Sequence, residues 1–110
     1  SFAPRSASLP GPPAEARVTE LAVADLAPGT RLVQLGAFDT AGTARDEWDR
    51  LAERFPEYFA DRPRVVEEAA SGGQAFFRLR AAGFDDLAAA RRFCAVLVAE
   101  GTACIPVTVR

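Results

Sequence analysis

The sequence predicts an α+β domain in the order strand, helix, strand, strand, helix, strand. Three observations carry this. Short segments that alternate apolar and polar residues are interleaved with two apolar stripes at helical spacing. Gly72-Gly73 separates two of the strand-like segments with no helix between them, which is the signal of a tight hairpin. The two halves also resemble each other at a constant offset: Phe38-Asp39 against Phe84-Asp85, Ala44-Arg45 against Ala90-Arg91, Leu51 against Leu97. These matches fall at equivalent points of two strand-to-helix units, as a doubled split βαβ motif requires.

Each element follows from local chemistry. Arg31–Phe38 reads as a strand with Val33 and Leu35 on one face and Leu32 and Gln34 on the other. Asp39 or Thr40 can cap a following helix, in which Ala44, Trp48, Leu51 and Phe55 form one apolar stripe. Pro56 breaks it, and residues 57–61 read as an irregular extra turn. Residues 64–69 form a second strand, and the glycine pair turns it into a third over 75–81. There Phe77 and Leu79 share one face, while Phe76, Arg78 and Arg80 share the other. Asp85 or Asp86 caps a second helix whose apolar stripe is Leu87, Ala90, Cys94, Leu97 and Val98. Gly101 sits where a left-handed C-cap is expected, and residues 103–109 form the last strand.

Right-handed crossovers then give a four-stranded antiparallel sheet in the order 4-1-3-2, with both helices on one face. This is a ferredoxin-like, or RNP-like, sandwich. Pro106 suits the fourth strand, because an edge tolerates a missing N–H. The other sheet face is left open, and function is expected there.

Residues 1–30 read as a linker. Pro4, Pro10, Pro12, Pro13 and Pro28 stand among Ala, Ser and Gly, a composition that buries too little surface to offset its ordering entropy. A turn of helix is expected within 18–26, and the domain proper over 31–110. The chain begins at Ser1 and has no Met, so it reads as an excised or processed piece whose anchor or targeting signal lies upstream.

Absences narrow the chemistry. There is no His, and all 13 basic residues are Arg, which removes Ser-His and Cys-His dyads, Schiff-base lysines and His-based metal sites. Glu67 and Glu68 are adjacent in a strand and point to opposite faces, so they make no convergent pair for glycan hydrolysis. No enzyme, no cofactor and no metal is expected. A formal charge of −2 with a pI near 5.1 argues against nucleic acid as a partner. No apolar run reaches the roughly 20 residues a membrane helix needs. The acidic run Asp46-Glu47-Asp49 and the pair Arg91-Arg92 read as solvated helix faces.

Val33-Gln-Leu-Gly-Ala-Phe38, then Ala44, Phe77-Arg-Leu-Arg80, Phe84, Ala90, Cys94, Leu97, Gly101 and Cys104 together resemble the SPOR domain. The resemblance covers about 31–110. It implies a βαββαβ module that binds peptidoglycan, prefers glycan strands stripped of stem peptides, and localises a larger cell-envelope protein to the division septum. It further implies a periplasmic location, with contacts to other division or cell-wall proteins made through parts of the protein outside this chain. Ala82-Gly83-Phe84 replaces the family's Gly-Pro-Phe, residues 57–62 are longer than the shortest members need, and Ala37 stands where some members carry Ser.

On this reading Gln34, Phe76, Arg78 and Ile105 form the glycan-binding patch, with Arg80 and Ala37 as lesser members. The amide can donate to and accept from sugar hydroxyl and acetamido groups. A sugar's C–H face can pack on Phe76 while Arg78 hydrogen-bonds its oxygens. Cys94 and Cys104 are expected to form a disulfide, because Cys104 faces the helices if Ile105 and Val107 face the open side. The alternative is an RNA-binding or protein-interaction module using the same open face.

Overall fold

The computed structural model describes residues 18–110. The chain folds as β1 (Glu20–Leu21), a 3-10 turn (Val23–Asp25), β2 (Arg31–Phe38), α1 (Ala41–Arg54), α2 (Pro56–Phe59), β3 (Arg64–Ser71), β4 (Gln74–Ala81), α3 (Leu87–Ala99) and β5 (Ile105–Thr108). The sheet runs β1-β3-β4-β2-β5. Its last four strands are in the predicted order, all antiparallel, and β1 adds a short parallel strand beside β3. The sheet is therefore mixed and five-stranded rather than four-stranded.

Caps and turns set the boundaries. Of the two candidates at each helix start, Thr40 caps α1 by accepting from the Thr43 N–H, and Asp86 caps α3 by accepting from Ala89. Gly72 and Gly73 both take positive φ, 58° and 78°, the conformation a two-residue hairpin demands and other residues resist. The irregular turn expected after Pro56 is the one-turn helix α2, with proline at its first turn. Proline is tolerated there because that N–H has no helical partner.

The main core lies between the helices and one sheet face. Val33, Leu35, Leu79 and Ala81 from the sheet meet Ala44, Trp48 and Leu51 of α1, Phe59 of α2, and Ala90, Phe93, Cys94 and Leu97 of α3. Burying each large apolar chain contributes about 1.5–3 kcal/mol. The stripe of α3 differs from the expected one at both its edges: Val98 is 56% exposed and Leu87 only partly buried, while Phe93 is buried instead. At 3.6 residues per turn, 90, 93, 94 and 97 fall within one arc of about 100°, and 87 and 98 lie just past its edge. Trp48 and Phe55 are core residues, as their spacing implied.

Residues 18–30 depart from the linker reading. Leu21, Val23 and Leu26 pack against Leu32, Val65 and Ala82, three buried residues on the sheet face away from the helices. The segment is a strap across one end of the sheet. Its start is held by Glu20, which pairs with Arg45 at 2.9 Å and Arg64 at 2.7 Å. Its end is held by backbone bonds between Gly29 or Thr30 and Val109. Composition missed it because a few apolar residues suffice once a sheet supplies the other surface. Pro4, Pro10, Pro12 and Pro13 lie outside the described residues. Among the described residues no helix is long and apolar enough to cross a membrane.

Candidate functional site

The strap divides the sheet face opposite the helices. Leu32, Val65 and Ala82 lie beneath it, while the rest of that face stays open. Cross-strand register defines the open part. One row starts at Val65, covered by the strap, and opens through Arg80 and Gln34 to Ile105; the next runs Glu67, Arg78, Ala37; the third pairs Ala69 with Phe76. Gln34, Arg80 and Ile105 are thus brought side by side. Phe76 sits four residues from Arg80 on the same strand, about 13 Å away at the rise of a β-strand. The expected patch is one surface, but elongated along β4.

A bulge in β2 shapes it. Gln34 pairs with Arg80 and Gly36 with Leu79, so Leu35 is the extra residue. Leu35 keeps its place in the core, and the alternation beyond it reverses. Ala37 therefore lies opposite Arg78 on the open face, whereas strict alternation from Val33 would have turned it to the helices. Gly36 leaves room for the Phe38 ring: a Cβ here would stand 3.0 Å from it, so the ring would have to give way.

Polar contacts differ sharply between the two arginines. Arg80 is only 18% exposed. It donates through Nε and Nη2 to Gln34 Oε1 at 3.1 and 3.0 Å, and through Nη1 to Glu67 Oε1 at 2.8 Å. Desolvation holds its pKa below the usual arginine value, with the Glu67 charge opposing. Arg78 is 36% exposed and its Nη1 stands 3.7 Å from Glu67 Oε1, outside hydrogen-bond range. Its guanidinium lies 5.2 Å from the centre of the Phe76 ring, a cation–π distance. Arg80 is committed to the fold, whereas the Arg78 side chain makes no hydrogen bond among the described residues and meets Glu67 only at ion-pair distance.

Gln34 accepts from Arg80 through its oxygen, so its amide nitrogen is left to donate outward. Ile105 is 60% exposed, an apolar surface at the edge of this polar fan. Phe76 is half-buried, with Arg78 over it rather than residues 57–62, which pack on the helix side. Arg62 of that segment lies over the Phe84 and Phe93 rings and donates to the Tyr58, Ala82 and Gly83 carbonyls.

Glu67 is the member that sequence reasoning missed. The hairpin holds the signal: a two-residue turn at Gly72-Gly73 pairs Ser71 with Gln74, and counting outward sets Glu67 against Arg78. Cys94 and Cys104 form a disulfide with Cα atoms 5.0 Å apart, fixing the start of β5 to α3 one residue before Ile105.

The SPOR domain family model matches residues 27–108. The chain is similar in structure to the RlpA SPOR domain from Pseudomonas aeruginosa, with a TM-score of 0.52 and 19% identity over 70% of this chain and 96% of that one. It is also similar to the peptidoglycan binding domain of the B. subtilis cell wall lytic enzyme CwlC, with a TM-score of 0.54 and 16% identity over 77% and 95%. At these identities the likeness establishes the fold. No curated protein matches the chain by sequence.

Proposed function

The chain belongs to the SPOR family, whose domains are non-catalytic peptidoglycan-binding modules, and we propose that its open sheet face binds peptidoglycan glycan strands. The preferred strands are those stripped of stem peptides, and binding places a larger envelope protein at the division septum. The module works in the periplasm; the Cys94–Cys104 disulfide suits that oxidising compartment.

One observation carries the reading. The part of the sheet face left clear by the strap joins an exposed apolar side chain, Ile105, to outward polar groups on Gln34 and Arg78 and to the Phe76 ring. That mixture matches a sugar chain, which presents apolar C–H faces and polar rims on the same ring. Stacking and hydrogen bonding hold such a ligand, so affinity falls only gently with salt, unlike the steep fall expected of a polyanionic RNA.

Sedimentation with purified sacculi tests it. The wild-type chain should co-sediment, and more strongly after amidase has removed stem peptides. Phe76→Ala and Arg78→Ala should each weaken binding about tenfold, the equivalent of 1.4 kcal/mol, while circular dichroism stays unchanged. Arg91→Ala, exposed on α3, should bind as wild type. Two folded sheet-face variants with wild-type binding would place the ligand elsewhere.

A further inference from the structure

The open face carries an excess of positive charge. Its strands contribute Arg78 and Arg80 against the single carboxylate of Glu67, and that carboxylate is drawn to Arg80, 2.8 Å away, rather than to Arg78 at 3.7 Å. Arg78 makes no side-chain hydrogen bond within the described residues. Its guanidinium lies 5.2 Å from the centre of the Phe76 ring, and the side chain is 36% exposed. A part-exposed guanidinium with a loose ion pair and no hydrogen bond of its own is matched to a carboxylate, which it can bind through two parallel bonds.

This bears on why a stripped glycan would be preferred. While a stem peptide is attached, the lactyl group of each muramic acid ends in an uncharged amide. Hydrolysis of that amide adds water across the C–N bond; the peptide leaves as the amine and the glycan keeps a carboxylate. Resting on the glycan-binding reading above, we infer that Arg78 is the specificity-determining residue, and that it reads this newly exposed lactyl carboxylate. The preference is then for a charge gained, in addition to bulk removed. Glu67 limits the response, because its charge offsets part of the field that the incoming carboxylate meets.

The test separates charge from bulk. Soluble stem-peptide-free glycan chains are prepared in two forms, native and with their carboxyls converted to methylamides, and both are titrated against the chain. Conversion should weaken wild-type binding about tenfold, close to the lower end of what a hydrogen bond to a charged group contributes. Arg78→Gln should bind the native form as weakly as wild type binds the methylamide, and should no longer distinguish the two. Arg78→Lys should recover part of the distinction, because the charge remains without the fork. Glu67→Gln should strengthen binding of the native form more than that of the methylamide, widening the distinction between them. Equal wild-type affinity for both forms would overturn the carboxylate-reading role while leaving glycan binding intact. Failure to bind either form would remove glycan binding itself, and this inference with it.

Discussion

Reducing the Cys94–Cys104 disulfide should destabilise the domain by about 2.7 kcal/mol. The bridge spans a sequence separation of 10, and the chain-entropy relation for a loop of that length gives about 9 cal/mol/K at 25 °C. In a domain of this size each kcal/mol moves the melting temperature by roughly 4–8 °C, so the reduced protein should melt about 10–20 °C lower. The loss should begin locally. β5 is a four-residue edge strand held by β2 alone within the sheet, and the disulfide anchors the residue just before it to α3. Thermal melts followed by circular dichroism, with and without a phosphine reductant, measure the global effect. A Cys94→Ala/Cys104→Ala variant, melted without reductant, controls for the reagent. Hydrogen exchange at the amides of Ile105 and Val107 measures the local effect. Oxidised and reduced protein melting within about 3 °C of each other would refute the entropic argument. Exchange at β5 unchanged on reduction would refute the anchoring argument, whatever the melts show.

Three further outcomes follow from the strap and the loops. Glu20 sits between Arg45 and Arg64, and hydrogen bonding to Arg45 leads the effects that lower its carboxyl pKa, against desolvation. Because the folded pKa is depressed, this stabilisation is complete above the unfolded value of about 4.3 and is lost as pH falls through the folded value. Urea unfolding at neutral and acid pH should show that part of the pH dependence missing from Glu20→Gln, with a difference of at most about 1 kcal/mol for so exposed a pair. Leu26→Asp should cost about 2 kcal/mol and raise binding of a hydrophobic dye, by lifting the strap from Leu32 and Val65. Arg62→Met should cost about 2–3 kcal/mol in urea unfolding, since it strips partners from the Ala82 and Gly83 carbonyls and removes the cation from two phenylalanine rings.

What the sequence determined by itself is whatever periodicity and local chemistry decide. The apolar stripe of Ala44, Trp48, Leu51 and Phe55 fixed the buried side of α1, because a helix has one repeat and no choice of partner alters it. Gly72-Gly73 fixed a hairpin and, with it, the pairing of Glu67 with Arg78. Alternation in β4 separated Leu79 from Phe76, Arg78 and Arg80 before any neighbour was known. Right-handed crossover alone then ordered the four antiparallel strands. Tertiary structure decided what depends on meeting across space. Whether Ala37 faces outward turns on one extra residue at Leu35, and a bulge is set by the partner strand, not by the strand that carries it. Residues 21–26 are held to the sheet because Leu32 and Val65 offer an apolar floor, which composition within the segment cannot register. Arg78 and Arg80 look equivalent in the sequence, two residues apart on one face. Only the third dimension sets Gln34 and Glu67 around Arg80 and leaves Arg78 its donors, because hydrogen-bond capacity is consumed by neighbours that are distant along the chain.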